Sequence, residues 1–172
     1  MRIRQARPND LPEIAQVEQQ AAQADGRPIH SEADMQGWLL ELCEEGNVFV
    51  VTDDDDELNP WGQAGTLDGI SGPIAGYTAL FPPTANTSSP YRLGCRGAVA
   101  PQFRRQNAGR LLLQGALNRA RMLASELDLE PDPVYFEALL PTNDPASPRL
   151  AARFEMHPVE AAMIPEGTQL YR

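Results

Sequence analysis

The chain of 172 residues contains no lysine: its fourteen basic side chains are all arginine, set against twenty-four acidic ones, for a formal net charge of −10. A phosphate-loop lysine, a Schiff-base lysine and a side-chain ammonium nucleophile are thereby excluded. The acidic balance argues against a nucleic-acid partner, which would need a basic face to displace counterions from phosphate. Cysteine is scarce. Cys43 and Cys95 are too few and too far apart for a disulfide framework or a zinc site, and they read as small buried hydrophobes in a reducing compartment. No apolar run of about eighteen residues is present to span a membrane. The start, Met1-Arg2-Ile3-Arg4, lacks the apolar stretch of a signal peptide. These absences predict a cytoplasmic protein with neither a membrane nor a nucleic-acid partner. His30 and His157 titrate in a useful range, but each stands beside a turn residue and reads as an exposed structural position.

What is present fits one domain over residues 1–172, because 42% hydrophobic content can fill a single core. Irregular insertions are expected at 53–72 and 82–90. Residues 2–7 read as a first strand, followed by a helix entered through Asn9-Asp10-Leu11-Pro12 and running to about Ala24. Leu11, Ile14, Ala15, Val17, Ala21 and Ala22 form its apolar face, which leaves Glu13, Gln16, Glu18 and Gln20 for solvent. After the turn Asp25-Gly26-Arg27-Pro28, Ser31 caps a second helix that stops at Gly46-Asn47. Strands follow at 48–52, 73–81 and 91–99, then a helix to about Glu126, a strand at 134–140, a helix start near Asn143, and final strands within 156–171. The acidic run Asp53 to Glu57 lacks the spaced oxygen ligands and sharp glycine turn of a calcium loop and reads as solvated, so no metal site is expected.

The most informative stretch runs from Val99 to Leu113. An apolar strand ends before Pro101, a small-residue loop with Arg104, Arg105 and Arg110 follows, and a helix begins. The first amides of a helix have no acceptor within it, and its dipole places partial positive charge at the same end. Phosphate oxygens are favoured there. No Walker loop, complete dinucleotide fingerprint or Gly-x-Ser-x-Gly elbow points to another nucleotide-binding or hydrolase class.

Arg104-Arg105-Gln106-Asn107-Ala108-Gly109 resembles the motif of the GNAT family of acyl-CoA-dependent N-acetyltransferases: Arg or Gln, any two residues, Gly, any residue, Gly or Ala. Asn107 stands at the first glycine, and asparagine tolerates left-handed backbone better than most residues. The resemblance implies a GNAT-type α/β (α+β) fold, a mixed and mostly antiparallel sheet with helices on both faces. Its strands ending at Val99 and beginning near Val134 should splay apart to admit acetyl-CoA. It also implies that Val99, Arg104, Arg105, Gln106, Asn107, Ala108, Gly109 and Arg110 bind that cosubstrate, joined by Asn143 at the family's cofactor-touching asparagine. Arg153 then stands at a family glycine and Phe154 at the phenylalanine after it.

Acetyl transfer to an amine needs a neutral nucleophile, a polarised thioester carbonyl and a protonated leaving thiolate. A backbone amide near Val99 is the oxyanion donor that the resemblance suggests. The central strand has no carboxylate, but alternation along the next puts Glu137 on one face with Tyr135 and Leu139. Glu137 is therefore the candidate base if that face lines the opening, and otherwise a solvated strand residue. Leu150 occupies the position where the family usually offers a tyrosine to the thiolate. Either another hydroxyl such as Tyr135 or Tyr171 serves, or solvent does, or the chain is a non-catalytic or weakly catalytic acyl-CoA-binding module. The acceptor is read only as a primary amine of a small molecule or protein. Glu32, Asp34, Glu41, Glu44 and Glu45 on the second helix would attract a cation if they rimmed the site and are otherwise a solvated face. A homodimer is compatible with the sequence, which does not fix the oligomeric state.

Overall fold

The computed structural model describes residues 1–29, 31–53, 72–83, 89–129, 132–161 and 163–172. His30, the acidic run beyond Asp53 and most of both insertions lie outside them. The elements are β1 (Arg2–Gln5), α1 (Leu11–Asp25), α2 (Glu32–Glu44), β2 (Val48–Thr52), β3 (Ile74–Phe81), β4 (Tyr91–Val99), α3 (Ala108–Glu126), β5 (Val134–Pro141), α4 (Ser147–Arg153), β6 (Pro158–Val159) and β7 (Thr168–Tyr171). Their order along the chain is the one the sequence predicts.

The strands form one seven-stranded sheet in the order β1-β2-β3-β4-β5-β7-β6. Every neighbouring pair is antiparallel except β4 and β5. The mixed, mostly antiparallel α/β architecture is thus the observed one. One face carries α1 and α2 over a core that includes Ile14, Leu39, Val50 and Tyr77. The other carries α3 and α4 over Leu80, Leu93, Leu113 and Ala151. Ile14 and Leu39 are fully buried, each contributing about 1.5–3 kcal/mol of hydrophobic stabilisation.

Local chemistry explains most of the element ends. Ser31 Oγ accepts the amide of Asp34 at 3.1 Å, which caps α2 as its sequence suggests. Gly26 takes a left-handed φ of +64° and closes α1. At the other end of α1 the expected cap is corrected, because Asp10 makes no side-chain cap bond to α1. Its carboxylate instead accepts the Arg7 amide at 2.7 Å and Arg4 at 2.6 and 2.9 Å, so it fastens β1 to the single 3-10 turn before the helix. Burial works against this ionised carboxylate, but the bonds and charges of Arg4 and Arg7 together outweigh it and hold its pKa below the ordinary 3.8.

Arg153 ends α4, and Phe154 follows as its C-cap, packed against the core. The residue in left-handed conformation after α4 is Glu155, at φ 57°. Met156 N bonds Ala151 O at 3.1 Å and Glu155 N bonds Ala152 O at 3.1 Å, the pattern of a Schellman stop. Met156, buried, takes the core position after that stop.

Candidate functional site

A cleft of about 320 Å³ opens between β4 and β5 and is lined from both strands, the loop before α3, and α4. The register shows why it opens there. β4 and β5 pair from Tyr91↔Val134 only as far as Arg96↔Leu139. Beyond that point β4 stays on β3 through Gly76↔Val99, while β5 follows β7 through Pro141↔Thr168. The two strands are drawn apart, as expected of the segment ending at Val99. Ala100 N bonds Ala75 O at 2.9 Å, so alternation along the antiparallel ladder turns the N–H and C=O of Val99 away from β3. The carbonyl takes Arg104 Nε at 3.2 Å. The amide faces the cleft.

Gly97 holds this geometry. A Cβ there would stand 2.8 Å from Thr78 Cα and closer still to the Tyr77 carbonyl oxygen, so any side chain would drive β4 off β3 where the cleft begins.

Below the strands, the loop turns through Arg105 and Asn107, both left-handed at φ 64° and 68°. Asparagine at the family's first glycine thus adopts the backbone a glycine would. The first bond of α3 runs from Leu111 N to Asn107 O at 3.1 Å. The amides of Ala108, Gly109 and Arg110 precede it and have no acceptor in the helix. Gly109 faces Leu150, whose Cδ2 would lie 3.4 Å from a Cβ added at that glycine. Arg105, Arg110, Arg149 and Arg153 also line the cleft. All four are exposed.

Toward α1 the lining changes character. Tyr77, fully buried, donates its hydroxyl to Glu18 Oε2 at 2.9 Å. Arg27 Nη1 donates to Glu18 Oε1 at 3.1 Å. Arg104 donates to both oxygens of Asp25, at 2.7 and 3.0 Å. Glu18 and Asp25 are 3% and 2% exposed, so each buried carboxylate is balanced by a guanidinium. Burial first, then the Glu18 charge, pushes the Tyr77 hydroxyl well above its ordinary pKa, which keeps it a neutral donor. Burial likewise raises the Cys95 thiol to about 11. It stays protonated beside Thr78 Oγ1 at 3.2 Å.

The structure brings Val99, Arg104, Arg105, Asn107, Ala108, Gly109 and Arg110 to the cleft. Arg104 arrives with its charge already matched by Asp25. Gln106 is not in the lining; its amide nitrogen bonds Gln102 O at 3.2 Å. Asn143 is exposed outside the lining, and its Nδ2 donates to Asp25 O at 2.7 Å. Leu150 lines the cleft, without a proton to give. Glu137 and Tyr135 are placed elsewhere: Glu137 is buried and clamped by Arg172, Nε at 3.0 Å, with that guanidinium 4.6 Å from the Tyr135 ring centroid. Glu137 sits opposite Gly94, where β4 and β5 are still joined. Tyr171 is buried in the core beneath α3 and α4. His157 is exposed and pairs through its main chain with Arg172.

Glu18, Asp25 and Gly97 are among the site residues that sequence reading misses; Arg27 stands in the turn around Gly26-Arg27-Pro28 to which the sequence assigns acceptor choice. For Glu18 and Asp25 the signal exists. Leu11, Ile14, Glu18, Ala21 and Asp25 follow a three-four spacing, so two carboxylates ride on the apolar stripe of α1. On α2, by contrast, Asp34, Glu41, Glu44 and Glu45 are exposed and outside the cleft lining. Among the described residues no helix is long and apolar enough to cross a membrane.

No protein-family model matches the chain, and no curated protein matches it in sequence. Solved structures do. A GCN5-related N-acetyltransferase from Sphaerobacter thermophilus aligns with TM-score 0.66 at 20% identity over 92% of this chain and 44% of its own, so this chain spans less than half of that protein. A ribosomal-protein-alanine N-acetyltransferase from Brucella melitensis aligns with TM-score 0.64 at 17% identity over 99% of this chain and 96% of its own. A GNAT superfamily phosphinothricin acetyltransferase from Sinorhizobium meliloti, solved in complex with acetyl-CoA, aligns with TM-score 0.65 at 15% identity over 99% and 85%. Splayed central strands, a left-handed basic loop and an uncapped helix start therefore sit on the fold of the GCN5-related N-acetyltransferases.

Proposed function

We propose that this chain binds acetyl-CoA in the β4–β5 cleft and transfers its acetyl group to an amine. One observation carries the reading: in a chain of net charge −10, Arg105, Arg110, Arg149 and Arg153 converge on a cleft floored by the unbonded first amides of α3. The amides suit a diphosphate. Arginines reaching in from two separate elements suit a ligand with more than one phosphoryl group. The cosubstrate supplies an activated acetyl thioester. The chain supplies the Val99 amide, aimed into the cleft where charge develops on the carbonyl oxygen. Glu137 lies where the sheet is still closed and is held by Arg172, so the amine gives its proton to water in the cleft. With Leu150 at the thiolate, solvent protonates the leaving group.

The test is calorimetry with acetyl-CoA, followed by thiol release over an amine panel. Wild type should bind, and Gly109→Val should abolish binding while melting within a few degrees of wild type, because the valine fills the gap between α3 and Leu150. Arg149→Ala should weaken binding by roughly 1–3 kcal/mol, the scale of a charge-assisted hydrogen bond. Unchanged affinity in the Gly109 variant would place the cosubstrate elsewhere. Tight binding without thiol release from any amine favours an acyl-CoA-binding module over an enzyme.

A further inference from the structure

The acetyl-transfer reading leaves the acceptor open, and the inference below rests on that reading. On the α1 side lies a second, smaller cavity of about 40 Å³, bordered by Glu18, Arg27, Arg96, Gly97, Leu139 and Pro165. Arg27, Arg96, Gly97 and Leu139 border the large cleft as well, so the two spaces meet where β4 and β5 part. An acceptor must present its amine there, next to the thioester.

Two guanidinium groups border this chamber, one with a donor unmatched and one with no carboxylate partner among the described residues. Arg27 Nε is buried and has no hydrogen-bond partner. Its Nη1 is occupied by Glu18, and the nearest oxygen of Asp25 stands 3.6 Å from Nε, beyond hydrogen-bond reach. That carboxylate is engaged by Arg104, so part of the Arg27 charge stays unmatched and adds to the positive potential of the chamber. Arg96 is held by its guanidinium carbon 4.7 Å from the Trp38 ring centroid. Among the described residues no carboxylate pairs with it. The acids of the chamber are spoken for: Glu18 by Arg27 and Tyr77, Asp25 by Arg104. The unfilled need is for negative charge. A cavity of about 40 Å³ holds a group the size of a few waters, such as a carboxylate.

We infer that the acceptor is a free α-amino acid, its carboxylate received by the Arg96 guanidinium, its side chain against Leu139 and Pro165, and its amine at Gly97. The ammonium loses one proton to become nucleophilic, and its lone pair forms a C–N bond to the acetyl carbonyl carbon. The C–S bond breaks, the nitrogen loses a second proton, and the departing thiolate takes one up. Overall, an amino acid and acetyl-CoA give an N-acetyl amino acid, CoA thiol and one proton released to solvent. Asp34, Glu41, Glu44 and Glu45 are exposed and outside the lining of either cavity, so they offer a polyamine no partner there.

The experiment measures thiol release from acetyl-CoA with each of the twenty proteinogenic amino acids, with the matching amino acid amides and decarboxylated amines, and with spermidine. At least one free amino acid should turn over at least about 100-fold faster in kcat/KM than its amide, as expected of a site whose guanidinium would otherwise go unmatched. Arg96→Gln should raise KM for that amino acid about 10- to 100-fold, with the acetyl-CoA Kd within a factor of about two. Calorimetry separates the layers. No acetyl-CoA binding overturns the transferase reading itself. Binding with equal turnover of amides, amines or spermidine overturns the amino-acid acceptor alone, as does binding with no thiol release from any compound.

Discussion

The two mouths of the cleft are built from opposite materials. The α3–α4 mouth is main-chain amides and exposed arginines that pair with no carboxylate among the described residues. The α1 mouth is buried carboxylates, each matched by a guanidinium or a hydroxyl. In the first, positive charge is kept in water until an anion arrives, and little stability rests on it. In the second, charges have already left water, so their pairing is part of the fold. Asp25 joins the two, with its carboxylate on Arg104 of the loop and its carbonyl on Asn143.

The largest expected effect breaks the second mouth. Glu18→Ala strips Arg27 of its buried counterion and Tyr77 of its acceptor at once, and should cost about 3–5 kcal/mol in chemical denaturation. Arg149→Ala, at the first mouth, should change stability by no more than about 0.5 kcal/mol and show its loss in cosubstrate affinity instead. Should Glu18→Ala unfold at the wild-type denaturant midpoint, the distinction between a structural mouth and a free one disappears.

A smaller effect separates pairing as such from pairing at the site. Asp10, bonded to Arg4 and Arg7 at the far end of α1, has the same chemistry with no cleft beside it. Asp10→Asn should lose roughly 1–3 kcal/mol at pH 7 and leave acetyl-CoA affinity unchanged. The folded carboxyl titrates below its ordinary 3.8, so its contribution is present above that value and lost as pH falls through the folded pKa. The gap between wild type and Asp10→Asn should therefore be constant from pH 7 to about 5 and close below about 3.8. A gap that stays open in acid would show that the bonds survive protonation and that charge is not what Asp10 contributes.

The same contrast explains what the sequence discloses. The α3 mouth is written in consecutive residues, Val99 to Arg110, because amides at a helix start are supplied by any short strand-loop-helix passage. The α1 mouth depends on partners far apart in the chain: 59 residues separate Tyr77 from Glu18, 79 separate Arg104 from Asp25, and 118 separate Asn143 from Asp25. The apolar face of α1 leaves Glu18 for solvent in sequence, a carboxylate being costly to bury alone, and only the fold supplies its two donors. Glu137 illustrates a different limit. Alternation sets it on a face with Leu139, and Leu139 does line the cleft. How far along β5 the sheet remains closed is a matter of register, set by β3 and β7 pulling in different directions, and period-two reasoning says nothing about it.

The smallest expected effect concerns strain rather than charge, and it sharpens the contrast from outside the cleft. Asn107 at the α3 mouth and Glu155 after α4 are both non-glycine residues in left-handed backbone, at φ 68° and 57°. Glu155 is exposed and closes α4 only through its main chain. Glycine there keeps both terminal bonds and removes the Cβ penalty, so Glu155→Gly should stabilise the fold by about 0.5–1 kcal/mol, read as a rise in Tm, with acetyl-CoA affinity unmoved. At Asn107 the identical relief falls on the loop that presents the first amides of α3, so Asn107→Gly should move Tm and affinity together. If both variants shift Tm alone, the left-handed conformation of residue 107 is local strain only, and the amides after it do not depend on how the chain enters the turn.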